Sequence, residues 1–423
     1  MTHSPAERPP QPADQPRPWL ARAAGSLAHR NYRLLWCAAL GSTIGTWMQK
    51  YAQGLLVYDL TKSTFYLGLD DFLSQLPILL LMLIGGVIAD RHDRRWLLTI
   101  SQYVQAFSAF MLAALVWTGY VHVAWVFALS FVSGCGQAFG GPAYQAMIPS
   151  LVPKRDLPNA IALNSSQFNL SRVLGPSGGA IVLATIGTAW CFFVNGLSFF
   201  LVVIALAALR LPKHVPAPTH QAVSTELRSG LHYVRDNRVV LALTILVTLS
   251  TFLTMPLQTM LPAFANEVLS GAGRAETRLS FLMASQGLGA IVGALLIGML
   301  DATPHLWRIL LSVQIVLGLL IGAFALSTSL PTSLGLLFLI GIFFMALFSL
   351  SFSLVQMTVP DALRGRVVAI YMVALRGGGP IGALVAGGLA DRFSAPAVMA
   401  INGLLLALIS SGVLALKRGR ALA

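Results

Sequence analysis

Apolar residues recur along this chain in runs long enough to cross a bilayer, separated by short polar turns. A membrane-spanning helix needs about 20 such residues. The pattern predicts twelve helices, near 33–57, 64–89, 96–117, 122–148, 159–185, 188–209, 239–264, 279–300, 306–326, 332–357, 367–390 and 395–416. The longest polar connection, 210–238, follows the sixth span and divides the chain into two sets of six. It opens with LPKHVPAPTH and continues STELRSGLHYVRDNR, in which Leu227, Leu231 and Val234 recur at helical spacing between charges. That predicts a short amphipathic helix on the membrane surface. The expected organisation is an N-terminal tail over 1–30, helix bundles over 31–209 and 239–416 joined by the 210–238 linker, and a C-terminal tail over 417–423. The first tail carries Pro5, Pro9, Pro10, Pro12, Pro16 and Pro18 without an apolar core, so it reads as a disordered cytoplasmic segment and not as a secretory signal.

Composition agrees with an all-α polytopic membrane protein: 56% of residues are hydrophobic and 10% charged, against about 25% charged in soluble domains. The net charge of +13 would suggest nucleic acid until the basic residues are placed. With both termini cytoplasmic, the outer turns hold only Lys62, Arg274, Arg278 and Arg392, and three more cations, Lys50, Arg172 and Arg376, fall inside spans. The other 21 of the 28 Lys and Arg lie on the cytoplasmic side. This is a strong positive-inside bias, and it argues against nucleic acid, whose binders gather basic residues on one folded face. Cys37, Cys135 and Cys191 all lie in apolar runs without metal-type spacing, so no metal or cofactor is expected.

The halves repeat. RVLGPSG, Arg172 to Gly178, returns as RGGGPIG, Arg376 to Gly382, and Asn195-Gly196 is echoed by Asn402-Gly403. Halves duplicated about an axis along the membrane normal are typical of one transporter architecture. Gly175, Pro176, Gly178, Gly379, Pro380 and Gly382 are expected to let helices bend and pack where the halves meet. No strand precedes RGGGPIG and no Gly-Lys-Ser/Thr follows it, so it is not a phosphate loop. The absence of any nucleotide motif excludes ATP hydrolysis as the energy source.

GGVIADRHDRR, Gly85 to Arg95, in the turn between spans two and three, resembles the loop signature of the major facilitator superfamily. Around spans one, two and seven, GTWMQ, LLVYDLTKS, LGLDDFLSQLP and MPLQTMLPAFANEVL resemble its drug:proton antiporter branch, which includes enterobactin exporters. The likeness runs from Tyr32 to Leu416. It implies two pseudo-symmetric six-helix bundles around a cavity. It also implies a cytoplasmic latch in which Asp90 accepts hydrogen bonds from the amides of a neighbouring helix N-terminus, supported by Arg91, Arg94 and Arg95 and by close helix approach at Gly86. Asp93 departs from the signature, which has glycine there. GPSGG resembles the branch's antiporter motif with one spacer missing. Between spans eight and nine LIGMLDATPHLWR keeps only Gly298 and Asp301 of the signature, whereas GGLADR, Gly387 to Arg392, looks like a better copy but falls on the outer side, where the latch reading sets it aside.

Charges within spans need partners or water. Lys50 lies about ten residues before the first outer turn, and Asp70 and Asp71 about ten after it, so a helical hairpin brings them to one depth. The group reads either as a structural ion pair or as a proton-coupling site, with Asp71 the favoured partner. Gln49, Gln53, Gln137, Gln258, Gln286 and Gln356, with Arg172 and Arg376, are candidates for lining the cavity or for joining helices. The resulting expectation is a monomeric secondary transporter of the bacterial cytoplasmic membrane. It would export small amphipathic molecules, drugs or siderophore-like metabolites, in exchange for protons. A lysophospholipid transporter and a non-transporting scaffold or sensor are the alternatives. Short, carboxylate-poor loops argue against an enzyme.

Overall fold

The computed structural model describes residues 25–209, 223–269, 274–298 and 305–420. They fold into helices α1 (Arg30–Thr61), α2 (Thr64–Arg91), α3 (Arg94–Thr118), α4 (Val123–Leu151), α5 (Leu157–Ile186) and α6 (Thr188–Ala208) before the linker. After it come α7 (Val223–Asp236), α8 (Arg238–Val268), α9 (Ala275–Gly298), α10 (Leu306–Ala325), α11 (Leu330–Thr358), α12 (Asp361–Arg392) and α13 (Ala395–Arg420). Nine of these are long and apolar enough to span a membrane. Three further long helices, α1, α2 and α5, carry Lys50, Asp70, Asp71 and Arg172. No strand occurs among the described residues.

Turns at residues 62–63, 119–122 and 326–329 lie at one end of the bundle, here the Lys62 end, and the α2–α3 turn lies at the opposite, Asp93 end. Within the first half α1 packs on α5 and α6, and α4 on α2 and α3. In the second half α9 packs on α11, α10 on α13 and α8 on α12. The halves meet along α2 with α12 and α5 with α9. Small residues make the close approaches: a Cβ on Gly289 of α9 would stand 1.9 Å from the Phe338 carbonyl oxygen of α11, and one on Gly341 2.2 Å from that of Gln286. Close backbone approach at small residues is how helices associate in lipid, which offers no hydrophobic drive between them.

The linker helix α7 begins at Val223 and includes the predicted amphipathic stretch. It does not lie free on the membrane surface. Gly230 seats against Ile370 and Arg366 of α12, and Val234 is buried while Leu231 stays exposed. Residues 210–222 and both chain ends, 1–24 and 421–423, lie outside the described residues. Asn237 stops α7 and caps α8, its Oδ1 accepting from the amides of Val239 and Val240 at 3.1 Å. An Asn237→Ala variant is expected to lose about 1 kcal/mol, read as a lower thermal midpoint of the purified protein.

Candidate functional site

Lys50 of α1 reaches across the first hairpin to Asp71 of α2, with Nζ 3.1 Å from Oδ1. Asp70 turns to a different partner set, since consecutive helical residues point about 100° apart. Its Oδ2 accepts from Gln53 Nε2 at 2.7 Å, and its Oδ1 from Ser130 Oγ of α4 at 2.6 Å. Gln49 continues the polar row, donating to Gln53 Oε1 at 3.3 Å and accepting from Asn195 Nδ2 of α6 at 2.7 Å. Lys50 Nζ also lies 5.8 Å from the Trp47 ring centroid, within cation–π range. One turn beyond Lys50, a Cβ on Gly54 would come within 3.2 Å of Pro262 in the second half, so this face of α1 looks toward the other bundle.

Arg172 places its guanidinium carbon 5.4 Å from the Trp47 ring centroid. Arg376 is exposed in the middle of α12. The other predicted cavity residues divide. Gln137 is exposed, Gln258 and Gln356 are half-buried, and Gln286 is buried with no hydrogen-bond partner for its Nε2. A buried amide without partners carries a desolvation cost of about 1–3 kcal/mol.

The repeated glycines pack within each half, and not where the halves meet. A Cβ on Gly175 would stand 2.4 Å from Trp47 Cβ of α1, and one on Gly382 2.1 Å from the Phe252 carbonyl of α8. Gly379 lies against Met255, and Gly178 faces open space. Only Pro176 of this set bonds across the halves, its carbonyl accepting from Ser280 Oγ at 3.2 Å. The reason lies in the helical repeat: residues 175 and 382 fall on the side of α5 and α12 turned to the first helix of their own half. Pro380 is buried.

At the Asp93 end, the side chains of Asp90 and Arg91, and Gly86 with them, lie outside the described residues. Arg94 donates to the Ala146 carbonyl of α4 at 2.8 Å, and Arg95 to that of Ala207 at the end of α6 at 3.1 Å. The Ala207 carbonyl lies in the last turn of α6, where such groups lack intrahelical donors. Asp93, where the signature has glycine, is the N-cap of α3 and accepts from the Arg95 amide at 2.8 Å.

The motif set aside on grounds of topology has the contacts its counterpart was expected to make. Asp391, in GGLADR at the end of α12, accepts from the Thr64 amide at 2.7 Å, the Phe65 amide at 3.3 Å and the Thr64 hydroxyl at 2.6 Å, and from the Ser63 hydroxyl. A carboxylate of the second half thus caps the N-terminus of α2 in the first, where the helix dipole favours an anion. Below it the backbones touch: a Cβ on Gly68 would stand 2.3 Å from the Ala383 carbonyl. Tyr51 adds a bond to the Glu276 carbonyl at 2.6 Å, and Tyr58 one to the Glu267 carboxylate. The halves are therefore tied at the Lys62 end. Spacing gave the carboxylate but not its receiver, because an N-cap supplied by another helix leaves no local signal.

The profile of a family described as transmembrane secretion effector matches residues 21–421. The chain is 27% identical to the multidrug efflux pump Tap of Mycolicibacterium fortuitum, over 85% of this chain and 88% of that one. It is 25% identical to the enterobactin exporter EntS of Escherichia coli O157:H7, over 94% of each. Among solved structures it resembles the nucleoside transporter NupG, with a TM-score of 0.72 at 15% identity over 91% of this chain and 98% of that one. It also resembles an inward-facing, occupied bacterial homologue of the lysosomal transporter Spinster, with a TM-score of 0.69 at 13% identity over 91% and 96%. The structures establish the fold alone, a major facilitator fold with its two pseudo-symmetric bundles. The sequence match and the fold together make the chain a member of the transmembrane secretion effector family of major facilitator transporters, and not an enzyme.

Proposed function

We propose that the protein exports small amphipathic molecules, drugs or siderophore-like metabolites, in exchange for protons by alternating access. The observation that carries this reading is the Lys50–Asp71 pair on a face of α1 that looks toward the opposite half, with Asp70 held beside it by Gln53 and Ser130. An ion pair in a membrane interior is retained for a reason, and proton relays are a common one. Protonating Asp71 removes the charge that holds Lys50, so the pair can sense which side of the membrane supplies protons. The efflux and exporter functions of Tap and EntS support the cargo class.

The charge bias of the turns makes the Asp93 end, with both chain termini, cytoplasmic. The ties at Asp391, Tyr51 and Tyr58 then close the outer side, as alternating access requires in any state not open outward. Export requires those ties to break and the Asp93 end to close in turn, in a chain that works as a monomer.

Inside-out vesicles carrying an imposed proton gradient test the reading. Cationic drugs, catecholate siderophores and lysophospholipids are added in turn, and dissipation of the gradient is followed. Dissipation by one class, lost in Asp71→Asn, is expected. Uptake that persists in Asp71→Asn makes the pair structural. A gradient that none of the compounds disturbs removes proton antiport, and uptake restricted to lysophospholipids replaces the cargo class.

A further inference from the structure

The repeated R-x-x-G-P-x-G motif places its arginine at the same station in each half. On α5, Gly175 and Gly179 face Met48, Trp47 and Tyr51 of α1, while Val173 lies against Gly287 of α9. Arg172 falls between these two directions, in the groove where α1 of its own half and α9 of the other half converge. Ile181, nine residues on, is 67% exposed and lies on the opposite side of the helix, since a helix turns about 100° per residue. Arg172 is thus turned away from lipid.

Arg376, at the matching position of the repeat, also turns toward the opposite half. Gly378 and Gly382 face α8, and Ala383 and Gly387 face α2 of the other half; Arg376 shares the direction of the second pair, toward the other half. The exposed stripe of Ile381, Val385 and Leu389 occupies the far side of α12. Two guanidiniums therefore project inward from repeat-related walls. Among the described residues neither is in an ion pair, and the contact made by Arg172 is with the Trp47 ring. Lys50, by contrast, has its charge met by Asp71. Trp47 in turn meets Phe168 edge-on at 5.8 Å between centroids, and Phe168, one turn before Arg172, is exposed.

A guanidinium within cation–π range of an indole, without a carboxylate, has all five of its N–H donors to offer in a planar fork suited to an acid group. We propose that the interior binds an anionic aromatic molecule, its acid group held by Arg172 and its ring laid against Trp47 and Phe168, with Arg376 adding positive potential from the opposite wall. This deepens the transport reading by naming a cargo class, and it rests on the interior being the cargo path. It does not rest on proton coupling. Exchanging a proton for an anion moves two charges in the same sense, so Asp71 and Arg172 can serve separate ligands.

Equilibrium binding to the purified full chain in nanodiscs separates the two readings, because it needs no gradient. The probes are 2-naphthoate, 2-naphthylmethylammonium and neutral 2-naphthalenemethanol. Wild type is expected to bind the carboxylate at least about tenfold more tightly than the ammonium, the range of a charge-assisted hydrogen bond. Arg172→Gln should erase that preference while leaving the neutral alcohol's affinity in place, Arg172→Lys should retain most of it, and Trp47→Leu should weaken all three probes. Wild type that binds the ammonium as tightly as the carboxylate, or that binds no naphthoate saturably, overturns the proposal without recourse to any variant. An unchanged naphthoate affinity in Arg172→Gln overturns it as well.

Discussion

An Asp391→Ala variant is expected to fold and insert, yet to leave the Lys62 end open. In the wild type one carboxylate takes two amide and two hydroxyl hydrogen bonds from Ser63, Thr64 and Phe65. Loss of an N-cap alone costs about 0.5–2 kcal/mol, and each hydroxyl bond to a charged acceptor adds to it. Asp391 is exposed, so water replaces part of every bond, and the net loss is set at about 2 kcal/mol, or roughly thirtyfold in an equilibrium. Because these bonds join the halves and exist only when the Lys62 end is closed, their loss weakens that state and not the helices themselves. Spin labels at Tyr120 and Leu326, on turns of opposite halves at this end, report it after Cys37, Cys135 and Cys191 are replaced. The distance distribution should gain a longer component in Asp391→Ala and a smaller one in Asp391→Asn, which keeps an acceptor oxygen without the charge. A distribution identical to wild type would show that the contact does not hold the ends together.

Much of the fold was legible in hydropathy, because a helix that must satisfy its backbone internally in lipid leaves a long apolar run. Polar residues interrupting the apolar runs of α1, α2 and α5 marked the candidate site. Helical periodicity also supported the separate roles of the two adjacent aspartates: Asp71 meets Lys50 and Asp70 meets Gln53 and Ser130. Contacts between the halves were not legible. Asp391 and Thr64 lie 327 positions apart, and nothing in either segment specifies the other. The repeated arginines were visible as a motif, but their inward direction depends on which neighbours the flanking glycines touch. The glycines themselves suggested an interface between halves, whereas Gly175 and Gly382 seat the first helix of their own half.

Two glycine substitutions with similar clashes should have opposite consequences. In Gly289→Val the new Cβ meets the Phe338 carbonyl at 1.9 Å, and in Gly68→Val it meets the Ala383 carbonyl at 2.3 Å. Neither backbone atom can move aside as a side chain would. The Gly289 clash lies between α9 and α11 of a single half, which the reciprocal approach of Gly341 to Gln286 binds face to face. Those helices have no alternative arrangement to adopt, so the bundle carries at least the roughly 1–3 kcal/mol cost of an overpacked core. Little folded protein is expected, with a sharply lower thermal midpoint. The Gly68 clash lies between α2 and α12, across the halves, and opening the Lys62 end relieves it. Gly68→Val should therefore be recovered folded, with a midpoint near wild type, the Tyr120–Leu326 distance shifted almost wholly to the open value, and transport abolished because one arm of the cycle is blocked. If Gly68→Val melts as readily as Gly289→Val, the contact between the halves is part of a single rigid core. If it keeps the wild-type distance and transports, α2 and α12 need not approach as closely as the structure has them.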